Sequence, residues 1–594
     1  MEKELKIKGG EFLVKQIEAN DVFIPEEFDE EQKMIAQTCE DFLETEVFPN
    51  LEQIDAQEDG VMRTALEKAG ELGLLGISVP EEYEGFGQNI ITSMLSADRL
   101  GAGYSFAVAF SAHTGIGSLP IVYYGNHEQK QKYLPKLASG ELMAAYCLTE
   151  PGAGSDANSG TTKAVLSEDG KHYILNGQKM WITNGGFADV QTVFAKIDND
   201  RVYSAFIVER EWDGVSLNPE EKKMGIKGSS TRQIFYNDVK VPVENLLGKR
   251  GEGFRIALNI LHMGRLKLGA NVIGSCKRAI SQSVNYSNER KQFGTLISSF
   301  GSIKHKLAEQ AIKAFTNESA VYRASNDVDI LAEINKAEGK EYGKANMDAY
   351  AEFAPEAAIM KVYGSEALDY IVDEAVQVMG GMGFSAEMPA DRAYRDSRIN
   401  RIFEGTNEIN RILVTDTIIK RGQKGNIKLF EKAKEILAGL DNLCESCCCE
   451  GGDYFENKTK YISNFKNVAL MLMEAAVNKF QRKLVHEQEV LNSIADIVMN
   501  TYVAESTMLR IQKLETMRGE ELNLHRDMLD VYVFESASLI YKHGMDAIYS
   551  IDDQELTEKL IKGLKIYTKT SGVNTKDARR RIADKLIEEN KYCF

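Results

Sequence analysis

The stretch YCLTEPGAGSDANSG, residues 146–160, stands where the texture of the chain changes. Upstream, from about residue 31 to 131, apolar residues recur at helical spacing, as in Ile35, Cys39 and Phe42 or Leu66, Ala69 and Leu72. Downstream, HYILNGQKMWITN, VQTVFAKI, VYSAFIV and TRQIFYNDVKVP are short β-rich runs separated by Gly, Asn and Asp. From Gly253 helical periodicity returns; in VLNSIADIVMNTYV the residues Val490, Ile494, Ile497, Val498 and Tyr502 share one stripe. The pattern predicts a mainly α chain with a middle β domain. An N-terminal extension over residues 1–30 precedes a helical domain over 31–144, a β domain over 145–250, a helical bundle over 251–422 and a further helical domain over 423–594. The quoted stretch itself is dense in Gly, Ser and Thr, which lets backbone N–H groups meet a planar or anionic cofactor while Thr149 and Ser155 hydrogen-bond it. A plain interdomain turn is the alternative.

At 594 residues and 43% hydrophobic content the chain can fill several cores. A formal charge of −18 argues against nucleic acid as a partner, which calls for clustered Lys and Arg on a basic surface. No run of about 18 apolar residues occurs, and MEKELKIKGGEFLV has neither signal-peptide nor transit-peptide character, so a cytoplasmic location is expected and membrane contact is left open. Cys444, Cys447, Cys448 and Cys449 cluster in CESCCCE, but no second CxxC or paired His follows at zinc spacing, and no metal site is expected.

Four further motifs invite chemistry. GQKMWITNGG, residues 177–186, offers Trp181 and Thr183 as one wall of an aromatic cofactor site, a buried strand Trp being the alternative. ERKQFG and QVMGGMGF, residues 289–294 and 377–384, offer a basic cluster and a Gly pair; GGMGF lacks the GxGxxG spacing and follows a helical pattern, which argues against a nicotinamide site. NRIFEGTNEIN, residues 400–410, sets Glu404 between Phe403 and Gly405. A carboxylate against an apolar wall loses hydration and gains basicity, and the glycine admits a ligand close to the backbone, as a catalytic base requires. The alternative is a helix N-terminus capped by Thr406 or Asn407, with Glu404 and Glu408 near the positive end of its dipole.

In order and identity these motifs, with MGIKGSSTRQIFYNDVKVP among them, resemble the successive signatures of the acyl-CoA dehydrogenases over about residues 30–422. Gly301 and the tail after about residue 425 are similar to the very-long-chain branch and its assembly-factor relative, with an extra helical C-terminal domain and a homodimer. The resemblance implies an N-terminal helical domain, a β-barrel-like domain and a four-helix bundle, with FAD between the last two. It implies α,β-dehydrogenation of a fatty acyl-CoA to the trans-2-enoyl-CoA in β-oxidation, with electrons passed to electron-transfer flavoprotein. By resemblance Glu404 removes the α-proton while the β-hydrogen leaves as hydride to flavin N5. Tyr146, Leu148, Thr149, Gly154, Ser155, Trp181, Ile182 and Thr183 would line the flavin, Thr406 and Glu408 would complete its site, and Ser155, Arg265 and Gly405 would meet the substrate. Arg290, Phe293, Gln377, Gly380 and Gly381 would reach the FAD of a neighbouring subunit.

Two positions depart from the family pattern: Gly301 stands where Gln is frequent, and His262 where the LDxxR segment has Asp. By resemblance Gly264 lies near Glu404 at the wall of the acyl cavity, where medium-chain relatives carry a bulkier residue, and is expected to widen that cavity toward long chains; close helix packing is the alternative. The rival readings are an acyl-CoA oxidase that uses oxygen and a weakly catalytic flavoprotein like the assembly factor.

Overall fold

In a computed structural model, which describes residues 5–443 and 452–594, the chain passes from helices to a sheet at Ala144 and back to helices at Gly253. The cysteine cluster of CESCCCE lies outside the described residues; among those described, no group of His, Cys, Asp and Glu is placed to hold a metal ion. Helix α1 (Glu30–Phe42) starts on a capping box between Asp29 and Gln32 and buries Ala36, Cys39 and Phe42. Helix α2 (Val61–Glu71) buries Leu66 and Ala69. Leu72, expected on the same stripe, is 53% exposed because the helix ends there, before Gly73 turns left-handed at φ 76°. Helix α3 (Ser105–Ser111) runs into a π-helical turn, Ala112–Gly117. The segment Ser105–Tyr124 is apolar enough to cross a membrane, but 83% of its most apolar window is buried within the protein, so the core accounts for its composition.

The middle of the chain forms an eight-stranded sheet from β1 (Ala144–Cys147), β2 (Lys163–Leu166), β3 (His172–Thr183), β4 (Val190–Ile197), β5 (Ser204–Glu209), β6 (Val215–Leu217), β7 (Thr231–Pro242) and β8 (Leu246–Leu247). Its order is β6-β7-β3-β2-β4-β5-β8, with β1 joined in parallel to β4. The long strands β3 (His172–Thr183) and β7 (Thr231–Pro242) pair antiparallel along most of their length. Their register shifts between Lys179 and Ile182, and this bulge puts Trp181 at φ 60° with its indole out of the sheet.

Four helices make the bundle that follows: α4 (Gly253–Glu289), α5 (Gly301–Ala337), α6 (Ala354–Met379) and α7 (Asn407–Gln423). Helices α4 and α6 approach closely at Gly269, where an added Cβ would stand 2.9 Å from the Cβ of Met360. Of the C-terminal helices α8 (Tyr454–Phe480), α9 (Gln488–Arg518), α10 (Asn523–Ile551) and α11 (Thr575–Glu589), α9 and α11 lie against α5, and α8 and α10 pack on α9. Their stripe of Val490, Ile494, Ile497, Val498 and Tyr502 is buried, and one apolar cluster runs from Phe12 through the bundle to Leu586. Buried ion pairs cross the same junction: Arg323–Glu505 at 2.9 Å, Arg510–Glu318 at 2.9 Å and Arg579–Glu309 at 2.6 Å, with Lys466 also on Glu505.

Candidate active site

Glu404 sits in the loop that enters α7, capped by Thr406, whose hydroxyl accepts from the N–H of Ile409 at 3.3 Å. The loop is left-handed at two successive residues, Glu404 at φ 60° and Gly405 at φ 82°, a conformation that is costly for a glutamate and needs clamping. Arg265 Nε donates to the Glu404 carbonyl at 3.1 Å, and Asn410 Nδ2 donates to the carbonyls of Gly405 and Thr406 at 2.8 and 3.0 Å. The backbone is held from both sides, yet Oε2 of the Glu404 carboxylate has no hydrogen-bond partner and no access to solvent. Burial pushes this carboxyl up to about 7, against the lowering pull of Arg265 and Lys361.

The carboxylate faces a cleft of about 570 Å³ lined by Val108, Ala112, Ile116, Thr183, Met263, Gly264, Lys267, Leu268, Asn271, Asn400 and Phe403. Phe403 supplies the apolar wall expected of it, and Thr183 comes to the same cleft from the end of β3. The room at Gly264 is filled by Glu404 itself: an added Cβ would stand 2.8 Å from its Oε2. The glycine thus lies beside Glu404 in the wall of the cleft and leaves room for its carboxylate. Past Val108, Asn271 and Asn400, which line both, lies a second chamber of mixed lining, with Ala107, Ala279, Leu368 and Val372 beside Arg278, Gln282 and Asp396.

His262 accepts from Arg265 Nη1 at 3.0 Å, and burial together with that guanidinium pushes the imidazole down to about 3. It is thus a neutral acceptor where an aspartate would have carried charge, and Arg265 keeps its positive field for Glu404.

The first two cofactor motifs converge beside this cleft. Met180 N–H donates to the Thr149 carbonyl at 2.8 Å, which lays Trp181 alongside Leu148 and Thr149. A buried pair fixes the motifs to each other: Lys179 meets Glu150 at 2.6 Å. Burial opposes ionisation of Glu150, but Lys179 and the Thr161 and Thr162 N–H groups hold it down at about 2. Tyr146 lies on β1 with its hydroxyl 3.5 Å from the Ala257 carbonyl, and Ile182 is buried in the sheet core. Gly154 and Ser155 are exposed, and nothing lies within 4 Å of a Cβ added at Gly154. Trp181 is 53% exposed, so the indole and bare backbone present an open face that fits a planar ring system. Glu408 is exposed on the first turn of α7.

A third group is not brought to this cleft. Arg290 and Phe293 lie beyond the far end of α4, and from Gly264 to Glu289 the unbroken helix rises roughly 38 Å. Gln377, Gly380 and Gly381 share that end of the bundle, where Lys306 of α5 pairs with Glu374 of α6. All five are exposed, Phe293 to 95%.

Sequence reasoning missed Lys361, Asn410, Lys267 and Glu150. Lys361 and Lys267 were each signalled only by a lone lysine in an apolar helical run, AAIMKVYG and GRLKLGA.

Comparison with known proteins agrees with this layout. Profiles of the acyl-CoA dehydrogenase N-terminal, middle and C-terminal domains match residues 29–141, 145–239 and 251–419, and a second acyl-CoA dehydrogenase C-terminal domain profile matches 464–565. The chain is 44% identical to a probable acyl-CoA dehydrogenase of Bacillus subtilis, over 98% of both chains. It is 37% identical to the human very long-chain specific acyl-CoA dehydrogenase of mitochondria, over 82% of this chain and 76% of that one. A crystal structure of an acyl-CoA dehydrogenase complexed with FAD from Bacillus anthracis superposes with a TM-score of 0.94 at 44% identity, over 99% of this chain and 100% of that one. Fold, motifs and relatives agree, and the chain belongs to the acyl-CoA dehydrogenases, FAD-dependent oxidoreductases.

Proposed function

We propose that the protein dehydrogenates long-chain fatty acyl-CoA thioesters to trans-2-enoyl-CoA, with Glu404 as the base, and passes the electrons to electron-transfer flavoprotein. The observation that carries the reading is the unpartnered, solvent-shielded Oε2 of Glu404 facing an apolar cleft. An α-proton is weakly acidic, so the base must be desolvated, and a carboxyl raised to about 7 is still ionised in about half the molecules at neutral pH. Oε2 takes the proton; Phe403, Met263, Leu268 and Ile116 keep water from it; Arg265 and Asn410 hold the loop while it does so. When bound, FAD supplies the hydride acceptor for the β-hydrogen. Tyr146, Leu148, Thr149, Gly154, Ser155, Trp181, Ile182, Thr183, Thr406 and Glu408 would hold it, and Ser155, Arg265 and Gly405 would meet the substrate.

The second chamber beyond Asn271 would give a long acyl chain room along its apolar wall of Ala107, Ala279, Leu368 and Val372, where each further buried CH₂ contributes at most about 0.8 kcal/mol. The exposed far-end group of Arg290, Phe293, Gln377, Gly380 and Gly381 supports a homodimer in which each chain completes its partner's FAD site.

The test is Glu404→Gln under anaerobic conditions with palmitoyl-CoA. The variant should stay yellow and lose flavin bleaching by several orders of magnitude, because the amide keeps the shape and cannot accept the proton. Bleaching at the wild-type rate would remove Glu404 from the role. A panel from butyryl- to stearoyl-CoA tests chain length, and reoxidation by electron-transfer flavoprotein against oxygen tests the acceptor.

A further inference from the structure

Lys361 lies in the apolar middle of α6 and has no solvent exposure. Its ammonium donates to Asn407 Oδ1 at 2.6 Å, and Asn407 Nδ2 in turn donates to Ser365 Oγ at 3.1 Å and Glu366 Oε1 at 3.0 Å. Asn407 is the first residue of α7, directly after the left-handed pair Glu404 and Gly405 and the cap Thr406. The lysine thus grips the loop at the end opposite to Arg265. A neutral side chain would serve a merely structural grip, whereas a buried ammonium that meets one neutral amide oxygen is expensive to keep. The carboxylate of Glu404 offsets that cost, being foremost among the charges acting on Lys361.

We propose that Lys361 is a positioning residue for the base: through Asn407 it fixes the strained loop, and its charge keeps Glu404 ionised until the α-proton is taken. This rests on Glu404 being that base. The charged and titratable surroundings leave the role to few groups. On α4, Arg265 is the other cation acting on Glu404, His262 is neutral, and Lys267 lines the cleft with its ammonium on Thr114 Oγ1 at 3.0 Å. On α6, Glu366 is taken up by Arg411 at 2.8 Å. On α7, Glu408 is exposed and Arg411 is also paired with Asp496 at 2.8 Å. On β1, burial and Glu404 keep Tyr146 protonated. Burial brings Lys361 itself down to about 7, in the range of Glu404, so each group favours the charged form of the other.

The experiment compares Lys361→Met, Lys361→Gln and Ser365→Ala as FAD-loaded enzymes, following the pH dependence of anaerobic flavin bleaching by palmitoyl-CoA. Loss of the cation makes Glu404 harder to ionise, so the acid limb in both Lys361 variants should move upward by about one pH unit or more. Ser365→Ala loosens Asn407 without removing a charge and should slow bleaching with the limb in place. An unmoved limb in the Lys361 variants, or loss of the flavin-bound fold in both, overturns the proposal. Bleaching that persists in Glu404→Gln instead overturns the assignment of the base.

Discussion

A methyl group on Gly264 would stand 2.8 Å from Oε2 and 3.0 Å from Cδ of Glu404, closer than real side-chain contacts. The neighbour that must yield is the tip of a flexible side chain, so Gly264→Ala should fold and hold FAD while the carboxylate is pushed off its position. We expect kcat to fall by about 10-fold or more on butyryl- and palmitoyl-CoA alike, since each 1.4 kcal/mol of barrier is tenfold in rate. A changed chain-length optimum at unchanged kcat would mean that the space serves the acyl tail.

Glu404 links activity and stability with opposite signs. Its carboxyl titrates near 7 when folded and 4.5 is its ordinary value, so the rate should rise as pH passes up through about 7. Between pH 4.5 and 7 the folded state binds more protons than the unfolded chain, so this group's contribution to stability falls as pH rises. Glu404→Gln should therefore be more stable than wild type above pH 7, by on the order of 1–3 kcal/mol, with the gap closing toward pH 4.5. Denaturant unfolding at pH 5 and 8 measures both ends.

Lys267 is buried against Thr114, and no carboxylate perturbs it; burial alone pushes it down to about 8. From pH 8 to 10.5 the unfolded chain binds the extra proton, so stability from this group rises with pH in that window. Lys267→Met should stabilise the protein at pH 7 by up to about 3 kcal/mol, the advantage fading above pH 10. The same variant removes an ammonium from the cleft lining, and its KM for palmitoyl-CoA should drop. A variant less stable than wild type at pH 7 would mean that the ammonium has a counter-charge.

Glu505 takes both Arg323 and Lys466 in the buried junction of α5, α8 and α9. Glu505→Leu strands two cations and should cost about 3–5 kcal/mol, read as a lower denaturation midpoint with FAD released in the same transition. Loss of the C-terminal helices alone, with FAD retained, would count against a shared core.

The helix–sheet–helix order and the individual motifs were legible because they are local: periodicity, Gly-rich turns and the Phe-Glu-Gly setting of the base each occupy a dozen residues. The left-handed turn at Trp181 was not, since it follows from a register shift against β7, a partner some fifty residues away. Lys361 and Glu150 were hidden for the same reason: their partners Asn407 and Lys179 come from other parts of the chain.

The far-end position of Arg290, roughly 38 Å along α4 from Gly264, bears on genetics as well as on binding. In the dimer proposed above, a Glu404→Gln chain still lends a sound Arg290, and an Arg290→Ala chain still owns a sound base. A mixed pair then holds one doubly damaged centre and one intact centre, so two inactive alleles should complement each other in one cell.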